Sequence, residues 1–208
     1  MEPGAPQLRA FQLLAAQPNL DLPTLVKASQ AIEFTREALA SMGLADPMHP
    51  YGRRILMDSP VLEVMVATWT DDMPCIPHDH GGAIGAVRVL SGSAEHRIWT
   101  LNDGKLSVSR THTISQGDIL SCGPHMIHSM CATDDQFMTL HMYTRAIDHM
   151  VIYDVNQPET MVINGGCGAW IPENKDQIYR RKKGFHSRKA ITHGMSFSSQ
   201  PTHGQQPL

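Results

Sequence analysis

The stretch that decides the fold is Pro77-His78-Asp79-His80-Gly81-Gly82, which is followed at once by the apolar run of residues 84–90. Two histidines at positions i and i+2 of an extended segment point to the same side, so both imidazoles can bind one metal ion. Such a pair alone is weak support for a metal site. The glycine turn and the β-branched run after it place the pair at the entrance to a region of strands.

Short apolar and β-branched runs continue on both sides of this pair, separated by turns such as Asn102-Asp103-Gly104. Many short strands at spacings near ten residues predict an all-β dominated sandwich or small barrel. The predicted strands cover residues 61–69, 83–90, 94–101, 106–113, 118–121, 126–131, 137–143 and 150–154.

The N-terminal residues show helical spacing of apolar side chains instead. Pro18 ends a first predicted helix. A second is predicted from Leu22-Pro23-Thr24 to about Met42, with proline in its first turn and Gly43 as the C-cap.

Together these patterns predict a single domain in three parts. A helical region (1–46) packs on a barrel that carries the metal site (47–171), and a basic, polar tail (172–208) is solvated or docked on the body. The net charge is −8 over residues 1–171 and +5 over the tail. An acidic body disfavours a nucleic-acid-binding face.

Several classes of protein are excluded by what the sequence lacks. No run of about 18 apolar residues is present, so no membrane-spanning helix is expected. The first residues lack the basic and apolar regions of a secretory signal. The four cysteines form no CxxC pair, so we expect reduced thiols and a cytoplasmic location.

A third histidine with the same potential lies about 50 residues after the pair, in Met126-Ile127-His128-Ser129-Met130. A β-barrel closes such distant strands against each other, so His128 can complete a three-histidine face with His78 and His80. His125 competes for this place, but it follows Gly123-Pro124 and is expected on an exposed turn.

Two further motifs lie in the same region. Tyr51-Gly52-Arg53 ends 25 residues before His78. Thr139-Leu140-His141-Met142-Tyr143 alternates in the manner of a strand, so its first, third and fifth residues can point inward together.

In combination these motifs resemble those of the cysteine dioxygenase type I family, the bacterial thiol dioxygenases of the cupin superfamily. The resemblance covers roughly residues 48–147 and implies a cupin (jelly-roll) β-barrel. The slot that holds a glutamate ligand in most cupins falls on Gly85, so no carboxylate ligand is expected. The implied roles are Fe(2+) binding by His78, His80 and His128, substrate binding by Arg53, Tyr51 and Trp69, and a catalytic relay of Thr139, His141 and Tyr143.

The activity implied by the resemblance is insertion of both atoms of O2 into a carboxylated thiol. L-Cysteine is preferred because an arginine, Arg53, stands at the carboxylate position; 3-mercaptopropionate and mercaptosuccinate are the alternatives. Arg54 would point the other way from a strand and competes with Arg53. The expected partners are the small thiol and O2, with no nucleic acid and no membrane, for a monomer or weak homo-oligomer.

The chain also departs from the family. Gly85 replaces the cysteine that mammalian members cross-link to the tyrosine, so no thioether is expected. The segment 165–170, which contains Cys167, has no counterpart in the mammalian enzymes. Another class of function stays open, either an isomerase-type or hydrolase-type metal cupin or a non-catalytic cupin. The eight histidines outside the ligands and His141 are expected to need no function.

Overall fold

The structure, a computed structural model, describes residues 5–43, 45–188 and 191. Helices come first along this part of the chain and strands follow. The helices are α1 (Ala5–Ala15), α2 (Leu22–Ala31) and α3 (Arg36–Ala40). The strands are β1 (Tyr51–Asp58), β2 (Glu63–Trp69), β3 (Gly85–Ser91), β4 (Ser93–Asn102), β5 (Lys105–Ser115), β6 (Ile119–Cys122), β7 (Ile127–Ala132), β8 (Met138–Tyr143), β9 (Met150–Asp154), β10 (Glu159–Ile163) and β11 (Ile178–Lys183).

Two antiparallel sheets form the body of the protein. The first sheet has the order β1-β2-β8-β3-β6. The second sheet contains β5-β4-β7 and β9-β10-β11, which the segment 75–79 joins side by side. In this joint His78 and His128 exchange backbone hydrogen bonds of 2.9 and 3.0 Å, and Tyr153 N–H donates to the Pro77 carbonyl at 2.9 Å. His78 therefore lies within a sheet, next to the strand of the third histidine, and His80 follows it two residues later.

Both faces of the first sheet are buried, which explains why its strands read as nearly continuous apolar runs. Met65, Ala67 and Trp69 of β2 face the interior between the sheets. Val64 and Val66 face outward and pack against the N-terminal helices, including Phe11 and Leu25. The predicted all-β dominated cupin (jelly-roll) barrel with helices packed outside is confirmed. Within the described ranges no helix is long and apolar enough to span a membrane.

The second predicted helix is shorter than expected. Asp21 accepts a hydrogen bond from Thr24 N–H at its start, as a capping residue does, but the helix ends before Ile32, which is extended. Arg88 of β3 reaches across and donates to the carbonyls of Ser29 (2.8 Å) and Ile32 (2.9 Å). A side chain from the barrel therefore binds the carbonyls at the helix end, which is a tertiary effect that spacing does not reveal.

Three strands were absent from the prediction: β1, β10 and β11. The prediction left the C-terminal segment either solvated or docked, and for β11 the docked alternative applies, because it pairs with β10 from Ile178 to Lys183. Its basic side chains suit an edge strand, where charge discourages pairing with another chain. Residues 189–190 and 192–208 of the predicted tail lie outside the described residues.

Candidate active site

Three histidine side chains converge in the interior of the barrel. His78, His80 and His128 are all buried, and one nitrogen of each lies within 4.8 Å of the others. The Nε2 atoms of His80 and His128 are 3.1 Å apart. Two nitrogens that each lie about 2.1 Å from one ion at a right angle are about 3.0 Å apart, so this spacing fits a shared metal ion.

The charge state of these histidines also suits a metal. Burial, before any other cause, lowers the pKa of all three and places those of His80 and His128 well below the usual value. Neutral imidazoles are the form that binds metal ions. Histidine nitrogens without a carboxylate accept iron, zinc, copper and nickel alike.

The ligands differ in how their rings are held. His78 Nδ1–H donates to the Ile76 carbonyl at 2.8 Å, which leaves Nε2 for a metal. His128 Nδ1 lies 2.9 Å from Nε2 of His96, another histidine. The Nδ1 atom of His80 is buried without a hydrogen-bond partner in the described structure. His125, the competing third ligand, is exposed on its turn and lies outside this cluster.

A small cavity, here called the central cavity, adjoins the three histidines. Eight of the nine residues predicted for the site line it. The ninth, Thr139, is fully buried behind it. The eight are Tyr51, Arg53, Trp69, His78, His80, His128, His141 and Tyr143.

Four side chains of the first sheet form a buried hydrogen-bonded chain, here called the tyrosine relay: Trp69, Thr139, His141 and Tyr143. Trp69 Nε1–H can only donate, and it donates to Thr139 Oγ1 at 2.8 Å. His141 Nε2, 2.7 Å away, is the one acceptor that the buried Thr139 hydroxyl contacts among the described residues, so we assign the hydroxyl proton to this bond. His141 Nδ1–H then donates to the Tyr143 oxygen at 2.9 Å. This assignment leaves the Tyr143 O–H free to donate into the cavity.

The tyrosine relay ends beside the metal ligands. The ring of Tyr143 lies 4.9 Å from that of His80, measured between centroids. Burial lowers the pKa of His141 to about 3 and raises that of Tyr143 well above its usual value. The histidine is therefore neutral and the tyrosine keeps its proton. At Gly85 an added Cβ would lie 2.2 Å from the Tyr143 ring, so this packing requires glycine there.

Arg53 enters the central cavity from β1. Its guanidinium donates to the carbonyls of Gly165 (3.3 Å), Gly166 (2.9 Å) and Cys167 (3.3 Å). Arg54, the alternative, donates to the Ser41 carbonyl near the helices. The segment 165–170 therefore fixes the position of the arginine head group.

Tyr51 is held by the same segment. Its oxygen accepts a hydrogen bond of 2.8 Å from Ala169 N–H, so its own proton is free to donate. Its ring packs between Trp69 and Trp170, with centroid distances of 4.6 and 5.3 Å. Trp69, in contrast, has used its N–H on Thr139 and presents only its ring surface to the cavity.

Two ionisable residues that were not predicted for the site, Glu63 and Cys167, also line the central cavity. Glu63 is 9% exposed and accepts a hydrogen bond of 3.2 Å from Ile147 N–H, and burial raises its pKa. Cys167 is a free, buried thiol in the wall. The signal for Glu63 was available, because it alternates with Met65, Ala67 and Trp69 and so shares their inward face.

Comparison with known proteins finds only distant structural matches. No protein-family model matches the chain. A protein with a double-stranded β-helix domain from Klebsiella pneumoniae is 15% identical, with a TM-score of 0.47, and the match covers 59% of this chain and 91% of that one. KdgF from Halomonas sp. is 17% identical, with a TM-score of 0.41, over 49% of this chain and 86% of that one. An RmlC-like cupin protein from Desulfovibrio desulfuricans is 15% identical, with a TM-score of 0.41, over 54% of this chain and 96% of that one.

The strand order and the inward-facing histidines define the class by themselves: this is a cupin-fold protein with a three-histidine cluster that can bind a metal ion. The distant matches carry no information about its reaction. A narrower assignment has to come from the other side chains of the central cavity.

Proposed function

We propose that this protein is a non-heme Fe(II) thiol dioxygenase that converts a carboxylated thiol, first of all L-cysteine, to its sulfinic acid. The overall reaction, RSH + O2 giving RSO2H, balances without a further reductant. The observation that carries the proposal is the shared cavity: three neutral histidines face Arg53 and the free hydroxyl of Tyr143.

A bound metal ion would supply one part of the chemistry. His78, His80 and His128 would hold it, and their lack of an anionic member leaves the charge of a ferrous ion to be balanced by an incoming thiolate. When bound, the ion would lower the pKa of the thiol and activate dioxygen. The protein's own side chains account for the remaining steps.

Side chains of the first sheet would orient the substrate. Arg53 would bind the substrate carboxylate with a charge-assisted hydrogen bond worth about 1.5–3 kcal/mol. Because three carbonyls fix the guanidinium, little side-chain entropy is lost when the substrate binds. Tyr51 has a free hydroxyl proton on the same wall and would donate to the same carboxylate.

Hydrogen-bond donation to the reacting groups is assigned to Tyr143. Its hydroxyl has His141 as a donor behind it, so its proton points toward the cavity. Because burial keeps the pKa of the phenol high, the group donates a hydrogen bond to developing negative charge and does not release its proton.

The test is anaerobic reconstitution with Fe(II), followed by oxygen-electrode assays with cysteine, 3-mercaptopropionate, mercaptosuccinate and cysteamine. We expect uptake with carboxylated thiols and little with cysteamine, which lacks the group that Arg53 would bind. Failure of all four thiols to increase oxygen uptake would contradict the proposal.

One observation favours a second candidate, a metal-dependent isomerase or hydrolase. Glu63 is a buried carboxyl group with a raised pKa beside the metal cluster, and such a group can act as a general base. The two candidates differ in their need for oxygen. Turnover with Zn(II) or Mn(II) under argon would favour the isomerase or hydrolase, and strict dependence on Fe(II) and O2 would exclude it.

A further inference from the structure

A row of three histidines crosses the second sheet, and we call it the histidine relay: His128 on β7, His96 on β4 and His112 on β5. His96 Nε2 lies 2.9 Å from His128 Nδ1, and His96 Nδ1 lies 3.3 Å from His112 Nε2. His96 is 2% exposed, while His112 is half-buried near the outer edge of the sheet. The row therefore begins at the metal cluster and ends near the surface.

The direction of each hydrogen bond in the histidine relay follows from which nitrogen of His128 binds the metal. A metal bound to His128 takes the lone pair of Nε2, the atom that faces His80, so the proton of His128 lies on Nδ1. That proton is donated to His96 Nε2, which leaves the His96 proton on Nδ1 and directs it to His112 Nε2.

We propose that His96 is a positioning residue of the metal centre, which fixes the ring and the tautomer of His128, and that His112 orients His96 in turn. The other two ligands offer no comparable side chain: His78 is held by a backbone carbonyl and His80 by no partner in the described structure. His128 is thus the ligand whose orientation depends on a second side chain. The inference rests on the metal site alone and holds whether or not the protein oxidises thiols.

Removing a hydrogen-bond partner of a metal-bound histidine commonly weakens metal binding about 10- to 100-fold. His96→Phe keeps a ring in the buried position but has no acceptor. His96→Gln can place its amide oxygen where Nε2 lies and so keep the acceptor. His125→Phe is a matched control, because His125 is exposed and lies outside the cluster.

The experiment measures Co(II) affinity of the full chain by competition with a chromophoric chelator, together with the visible spectrum of the bound cobalt. We expect His96→Phe to weaken binding about 10- to 100-fold, His96→Gln to restore most of it, and His125→Phe to match the parent protein. His112→Phe should have a smaller effect in the same direction. Equal losses for the Phe and Gln variants would show that only packing matters and would overturn the proposal, as would unchanged affinity in His96→Phe.

A second measurement needs no variant and so does not depend on correct folding of a mutant. Long-range proton–nitrogen NMR correlations of the Zn(II)-loaded parent protein should show His128 and His96 as single tautomers with the proton on Nδ1. A proton on Nε2 of either ring would overturn the proposal. Absence of Co(II) binding by the parent protein would remove the metal site and this inference with it, whereas Co(II) binding without thiol oxidation would contradict only the proposed function.

Discussion

The two walls of the central cavity are built in different ways. The wall from the first sheet presents Arg53, Glu63 and the tyrosine relay, which are groups that can bind and orient a substrate. The wall from the second sheet presents the metal ligands, with the histidine relay behind His128. One wall therefore serves the substrate and the other the metal, so changes in each should have separable effects.

Tyr143→Phe should have the largest effect on catalysis without changing metal binding. This change removes the one hydroxyl that the tyrosine relay directs into the cavity and keeps the ring that packs on His80. We expect kcat to fall about 100- to 1000-fold, as for loss of a donor to developing charge, while the affinity for Co(II) stays unchanged. A comparable fall in Co(II) affinity would show that the two walls are not separable.

The second prediction concerns stability on the metal wall. Asp79, between the ligands His78 and His80, is 1% exposed, and Arg188 Nε donates to it at 3.0 Å. Arg188→Met leaves this buried carboxylate without its ion-pair partner, which costs about 3–5 kcal/mol of unfolding free energy.

Denaturant unfolding at neutral pH measures this loss, with the exposed Arg110→Met as control. Asp79→Asn in the Arg188→Met background should recover part of it, because the uncompensated charge is removed. A loss under about 1 kcal/mol, the range of exposed ion pairs, would contradict the account.

The third prediction compares the two neighbouring arginines of β1. Arg53→Gln removes the charge in the cavity, whereas Arg54→Gln changes a side chain that reaches toward Ser41. We expect the first variant to raise KM for cysteine about 10- to 100-fold, the equivalent of one charge-assisted hydrogen bond. The second should leave KM unchanged. Equal effects of the two variants would remove Arg53 from the substrate wall.

The smallest effect is expected for Glu63→Gln, as a gain in stability. Burial raises the pKa of Glu63 in the folded protein, so its ionised form is disfavoured there. Its contribution to stability is present below the unfolded-state pKa, near 4.5, and is lost as the pH rises through the folded-state value.

The glutamine variant should therefore be more stable than the parent protein at pH 7–8, and the difference should disappear at pH 4 or below. Thermal unfolding of both proteins across this range measures it. A variant that is less stable at neutral pH would show that the carboxylate is compensated in the folded state.

Much of the site could be predicted because its residues lie along single strands. His78 and His80, and likewise Thr139, His141 and Tyr143, are spaced by two, and alternate positions share a face. The histidine relay could not be found this way. Its contacts depend on the register in which β4 pairs with β5 and β7, and single-strand spacing carries no information on register. The sequence analysis expected no function for His96, and the positioning role proposed for it rests on its hydrogen bond to His128.

Prediction of the fold from the sequence has the same limit. Most strands were predicted, but β1, β10 and β11 were not, and in β1 and β11 basic runs hide the apolar alternation. The contacts of Arg53 were also beyond prediction, since the carbonyls that hold it lie 112 to 114 residues later in the chain. Long-range backbone contacts leave no local signal in side-chain spacing.

The most direct test of the central claim is single-turnover oxidation of L-cysteine by the Fe(II)-reconstituted protein under ¹⁸O2. The account predicts a sulfinic acid in which both oxygen atoms come from labelled dioxygen. A product with one labelled oxygen, a disulfide as the main product, or no thiol oxidation at all would contradict it.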